Sequence, residues 1–135
     1  MDVDWIREHC LSLSGATEHL QWGCDLVFKV GGKMFAVTPL EPAPVCMSFK
    51  CSHDDFAELT ERPGVIPAPY LARARWVALE TQDALPRHEI QQLLTKSHAL
   101  VLGTLSKSTR ARILAAPSAK KTARARAKKS GRRKF

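Results

Sequence analysis

Leu26-Val27-Phe28-Lys29-Val30-Gly31-Gly32-Lys33-Met34-Phe35-Ala36 decides the fold class. Leu26 to Val30 is a strand-like run of β-branched and aromatic residues. Gly31-Gly32 then supplies two adjacent residues that tolerate positive φ, which a tight hairpin turn requires. Lys33 to Thr38 is predicted to return as the partner strand, until Pro39, Pro42 and Pro44 break the pattern with a stiff loop. An antiparallel pair is therefore fixed before any other element is considered.

Working outward, Val45 to Lys50 alternates as a third strand, with Val45, Met47 and Phe49 on one face. Arg75 to Glu80 is a further strand, with Trp76 and Ala78 sharing a face. Ile66-Pro67-Ala68-Pro69-Tyr70 is expected to be extended or turn-rich, since each proline restricts its predecessor. Three helices are predicted. The first covers about 4–14, capped by Asp2 or Asp4, with Ile6, Cys10 and Leu13 at helical spacing. A short second helix follows Ser52, which with Asp55 forms a capping-box pattern and ends at Pro63-Gly64. The longest begins at Leu85-Pro86 and carries the stripe Ile90, Leu93, Leu94, Leu100 and Val101. The stretch between the first helix and the hairpin, including Trp22-Gly23, is read as irregular. The sum is an α+β fold, an antiparallel sheet with helices packed on one face.

Charge divides the chain. Residues 117–135 carry nine Lys/Arg and no acid, whereas the other 116 residues carry 12 Lys/Arg against 13 Asp/Glu. The formal net charge of +8 thus comes from the end of the chain. Two regions follow: a folded domain over 1–116 and a tail over 117–135, rich in Lys, Arg and Ala. Such a tail has too little apolar surface to offset ordering entropy and is expected to be disordered when free. Its cations, Lys120, Lys121, Arg124, Arg126, Lys128, Lys129, Arg132, Arg133 and Lys134, are candidate contacts to a polyanion. Lys29, Lys33, Lys50, Arg73 and Arg75 are candidates for a basic face on the domain, beside Trp76. Strand alternation is expected to set Lys29 and Lys33 across the Gly-Gly turn. Trp22 and Trp76 could stack on bases, although core packing is the commoner role of such side chains.

Catalytic and metal chemistry find little support. Cys10, Cys24, Cys46 and Cys51 form no CxxC pair, so no zinc site is expected and the thiols are read as free. His53-Asp54-Asp55 could orient an imidazole, but at a helix start the carboxylates serve better as caps. Gly103 to Thr109 lacks the glycine before lysine that a phosphate loop needs. No cofactor, metal or catalytic residue is assigned. No apolar run approaches the roughly 18 residues of a membrane span. The acidic start, Met1-Asp2-Val3-Asp4, is unlike a secretory signal. A cytoplasmic, monomeric protein is expected, with association to the nucleoid an extension of DNA binding.

His19-Leu20-Gln21-Trp22-Gly23, the hairpin block Val27 to Ala36, Phe49-Lys50-Cys51, Pro63-Gly64-Val65-Ile66-Pro67, Arg75-Trp76-Val77 and Ser97-His98-Ala99-Leu100-Val101 occur in series. In order and spacing they resemble the MmcQ/YjbR family of small bacterial proteins, over about residues 5–113. The resemblance implies a frataxin/CyaY-like layered architecture and DNA binding through a double-wing surface, with no cofactor or reaction attached. Family members usually carry His and Asn before the tryptophan; this chain has Tyr70 and Ala72 there, and keeps positive charge at Arg73 and Arg75. The expected function is therefore DNA or RNA binding, largely without sequence preference. The alternative is a protein-interaction module whose tail only localises it.

Overall fold

The Gly-Gly turn forms as the sequence requires: Gly31 and Gly32 adopt φ of 61° and 83°, closing a hairpin between β2 (Asp25–Val30) and β3 (Lys33–Pro39). This computed structural model describes residues 3–69, 71 and 74–115. Tyr70, Ala72, Arg73 and the tail readings over 117–135 lie outside the described residues.

Around the hairpin runs one six-stranded antiparallel sheet in the order β1-β2-β3-β4-β6-β5. Its other strands are β1 (Ala16–Gln21), β4 (Met47–Lys50), β5 (Val65–Pro67) and β6 (Trp76–Leu79). The helices are α1 (Asp4–Leu11), α2 (His53–Leu59), α3 (Arg87–Leu102) and α4 (Lys107–Ala115), with a 3-10 turn at Gln82–Ala84. The α+β class and the antiparallel sheet are as the sequence predicts.

Strand alternation sorts side chains between two cores of unequal size. Leu26, Phe28 and Val30 of β2, Met47 and Phe49 of β4, and Val77 and Leu79 of β6 join Ile6, Cys10, Ile90, Leu93 and Leu94 in the larger core under the helices. Val27, Val37, Trp76 and Ala78 face the other way, into a smaller cluster with Ala68, edged by Leu71. A β-bulge complicates the hairpin: Phe28 lies opposite Ala36 but Lys29 opposite Met34, so Phe35 is the extra residue. Phe35 and Ala36 both enter the larger core as a result, while Met34 and Val37 border the smaller one.

Lys29 and Lys33 do stand on either side of the Gly-Gly turn as expected, Lys29 opposite Met34 and Lys33 opposite Val30. Several expectations need correction. The first helix ends at Leu11, where the Ser12 hydroxyl turns back to the His9 carbonyl at 2.6 Å. The stretch read as irregular is strand β1. Its alternation is hidden by Glu18, a charged residue on the helix face that is held there by Arg7 at 2.6 Å. Val45 precedes β4 and packs against the smaller cluster, not beside Met47 and Phe49. The extended backbone expected from Ile66 onward does form, as the edge strand Val65–Pro67, the position a strand proline tolerates. Pro86 is the N-cap of α3 rather than a residue of its first turn. Helix α4 was not anticipated; it is attached through Ile113 and Leu105, which border the larger core.

Candidate nucleic-acid interface

Strands β3 and β4 pair only at Ala36 with Phe49 and at Val37 with Ser48, and then part. A single side chain from α3 explains the parting. The Ser97 hydroxyl, fully buried, donates to the Phe35 carbonyl at 2.6 Å and accepts the Lys50 N–H at 3.1 Å. It stands where a direct strand-to-strand bond would otherwise form. One residue on, the Cys51 N–H turns away to the Arg75 carbonyl at 2.9 Å. Helix α3 delivers Ser97 here because Ile90, Leu94 and Val101 fix its rotation in the core.

The gap that results is a cleft of about 470 Å³, lined by Lys29, Lys33, Lys50, Gln21, Met34, Trp76, Val101 and Thr104, with Gly32 at its rim. Cross-strand pairing places two of its cations. Lys29 lies opposite Met34, and Lys50 lies opposite Trp76, both on the sheet face away from the helices. Lys33 reaches in from the hairpin turn, its Nζ 3.5 Å from the Thr104 hydroxyl. The lining holds three ammonium groups and no carboxylate.

Ion pairing underlines the imbalance. Among the described residues the salt bridges are Arg7–Glu18, Arg62–Glu89 and Lys96–Asp55. None of them involves a cleft lysine. Lys50 donates to the Ala74 carbonyl at 2.9 Å, which fixes its head but leaves its charge uncompensated.

Arg75 stands beside the cleft and does not line it. Its backbone is in the left-handed region at φ 62°, and its Nε donates to His53 Nδ1 at 3.2 Å. That bond makes Nδ1 the acceptor of the ring. The expected capping by Asp54 and Asp55 is not what forms: the Ser52 side chain accepts the Asp55 N–H, and the Asp55 carboxylate pairs with Lys96 at 3.6 Å. Trp76 is buried in the smaller core and contributes floor to the cleft, not a stacking platform. Trp22 is 65% exposed at the tip of the β1–β2 turn, with φ 53°. Arg73 and the cations from Lys120 to Lys134 lie outside the described residues.

Other reactive groups are occupied or suppressed. Burial lowers the pKa of His98, and its Nε2 is 2.7 Å from the Ser14 carbonyl, which suits a neutral ring donating that proton. Burial pushes the Cys51 thiol up to about 11 and raises Cys10 further, so neither is a thiolate near neutrality. The four cysteines are free. Among the described residues, no three His, Cys, Asp or Glu side chains gather as a metal site, and no helix is long and apolar enough to cross a membrane.

Reading the residues in order missed Ser97, Gln21, Met34 and Thr104 as parts of the cleft. It also missed that acid-free sequence begins well before the tail. After Glu89 no Asp or Glu follows, and α4 presents Lys107 and Arg112 on its exposed side. That run of acid-free sequence was the available signal.

Comparison with known proteins bears on family and fold. The YjbR family model matches residues 11–100. A Deinococcus radiodurans protein with a DUF419 domain has a similar structure, with TM-score 0.74 and 28% identity, covering 82% of this chain and 86% of its own. A Pseudomonas syringae protein shares the fold at TM-score 0.60 and 18% identity, covering 75% of this chain and 99% of its own. No curated protein matches.

Proposed function

This chain belongs to the YjbR family, and from that premise we infer that it binds nucleic acid chiefly through phosphate contacts, with DNA the expected partner. The observation that carries this reading is the segregation of charge. Arg7, Arg62 and Lys96 are paired with acids on the helix side, while among the described residues the cleft lysines and the cations of α4 have no salt bridge, and the sequence of residues 117–135 holds nine Lys/Arg and no acid. Lys and Arg neutralise phosphates and release condensed counterions, a gain that does not depend on base sequence. The tail supplies most of the affinity, and the cleft lysines add a second contact. Linking the two raises their joint effect through local concentration.

The reading includes a cytoplasmic, monomeric protein with no catalytic role and no cofactor. It also includes the frataxin/CyaY-like architecture implied by the family resemblance, for which helices layered on an antiparallel sheet are the supporting observation.

Fluorescence anisotropy with a labelled oligonucleotide across salt concentrations tests it. The full chain is compared with a variant whose nine tail cations are Gln. If roughly six cations engage, log K falls with log salt at a slope of about −5, and most of that slope disappears in the variant. Equal affinity of the two proteins at low ionic strength removes the tail from the mechanism.

A second reading is favoured by one observation. Leu20, Trp22 and Leu40 are exposed at the same end of the sheet, where the Leu40 N–H bonds the Cys24 carbonyl at 2.8 Å. Such a cluster suits a protein partner, with the tail only localising the complex. Loss of partner capture on Trp22→Ser with unchanged oligonucleotide affinity would favour it.

A further inference from the structure

We propose that the cleft between β3 and β4 receives one nucleoside monophosphate unit, its phosphate on the lysines and its base against the apolar floor. The proposal rests on the nucleic-acid reading and names what the folded domain recognises. Three observations lead to it.

The first is charge. Lys29, Lys33 and Lys50 converge on one recess without a carboxylate among its lining residues. Like charges gathered around one recess repel one another, and an anion bound there relieves the repulsion.

The second is size. A recess of about 470 Å³, open to solvent, matches the scale of one small ligand and not of a duplex. A double helix touches the lysines only at the rim, whereas a single unpaired nucleotide can enter.

The third is the mixture of surfaces. Met34 and Trp76 lie beside Lys29 and Lys50 as their cross-strand partners, so apolar surface and cation are built as adjacent pairs. The polarisable Met34 thioether suits the face of a base. The Gln21 amide and the Thr104 hydroxyl offer donors and acceptors for a sugar or a base edge. An inorganic anion uses only the lysines; a nucleotide uses all three kinds of surface.

The cleft is also held open without ligand. Ser97 bridges Phe35 and Lys50, so the strands cannot zip closed over it. Binding therefore does not require the sheet to come apart.

The experiment is an amide NMR titration of the full-length protein with adenosine 5′-monophosphate, adenosine and inorganic phosphate in parallel. The nucleotide is expected to give saturable shifts at Lys29, Met34 and Lys50, with adenosine and phosphate each binding at least about tenfold more weakly, since each forfeits one part of a joint interaction. Lys29→Gln with Lys50→Gln weakens nucleotide binding about tenfold, and the variant with nine neutralised tail cations leaves it unchanged. Absence of saturable shifts at the cleft overturns the proposal, as does phosphate binding as tightly as the nucleotide. A single-stranded trinucleotide that shifts the same amides, where a hairpin duplex does not, identifies the source as a strand; shifts with the mononucleotide alone identify a free nucleotide. Oligonucleotide binding without cleft shifts defeats this inference and leaves the nucleic-acid reading standing. Nucleotide binding without oligonucleotide affinity does the reverse.

Discussion

The two faces of the sheet use positive charge in opposite ways. On the helix side Arg7 meets Glu18 at 2.6 Å and Arg62 meets Glu89 at 2.5 Å, each arginine forking onto both carboxylate oxygens. These pairs connect α1 to β1 and the α2–β5 turn to α3. On the opposite face Lys29 lies between Thr17 and Met34, and Lys50 lies opposite Trp76, with no acid as a cross-strand neighbour. The lesson is that net charge, almost zero over the folded body, hides the distinction. What separates a structural cation from one available to a ligand is its local partner.

The largest expected effect tests what separates the faces. Ser97→Ala removes the hydroxyl that both Phe35 and Lys50 use, leaving a buried carbonyl and an N–H without it. A loss of about 1–3 kcal/mol in urea unfolding is expected, since both groups are then buried without that partner. Unchanged stability would mean that the serine does not hold the strands apart.

Next comes a pH effect confined to the helix side. Burial lowers the pKa of His98 from 6.5, so the unfolded chain takes up that proton first as pH falls. The folded state is penalised progressively from about 6.5 downward until pH passes the lower folded value, and carries no such penalty above 6.5. The urea midpoint of the wild type should drop between pH 7.5 and pH 5.5 by more than that of His98→Gln. Parallel drops in the two proteins would exclude His98 as the origin.

The smallest effect sharpens the contrast most. Lys29→Gln and Lys33→Gln should change stability by no more than about 0.5 kcal/mol, because neither lysine has an acid partner to lose. A clear gain in stability would measure the repulsion among the cleft lysines. A clear loss would mean that they serve the fold, as Arg62 does.

Much of this molecule was legible in order along the chain. The Gly31-Gly32 hairpin, the alternation of Met47 and Phe49, and most of the α3 stripe follow from local periodicity and hold in the structure, although Leu100 stays outside the core and Ser97, His98 and Leu102 are buried with the stripe. Strand β1 was not legible, because Glu18 faces the helices and is tolerated there only through Arg7, a residue of a different element. Helix α4 was hidden because it has no buried residue and its inward side includes Thr109 and Arg110. The lysines were visible as candidates but their cleft was not. Its opening depends on Ser97, 62 positions from Phe35, and on a bulge that moves Met34 into place beside Lys29. No propensity encodes such an encounter.

Helix α4 rests on two glycines. A Cβ at Gly15 would stand 2.6 Å from Ile113, and one at Gly31 would stand 2.5 Å from Leu105, so each missing side chain is a socket for an apolar anchor. With no other deep attachment, α4 is a mechanical fuse. A pull applied at Ala115 would load the Ile113 socket before the Leu105 one, and would be expected to peel the helix before it sheared the sheet. A polyanion hauling on the chain's end would thus uncouple its tether without unravelling the domain.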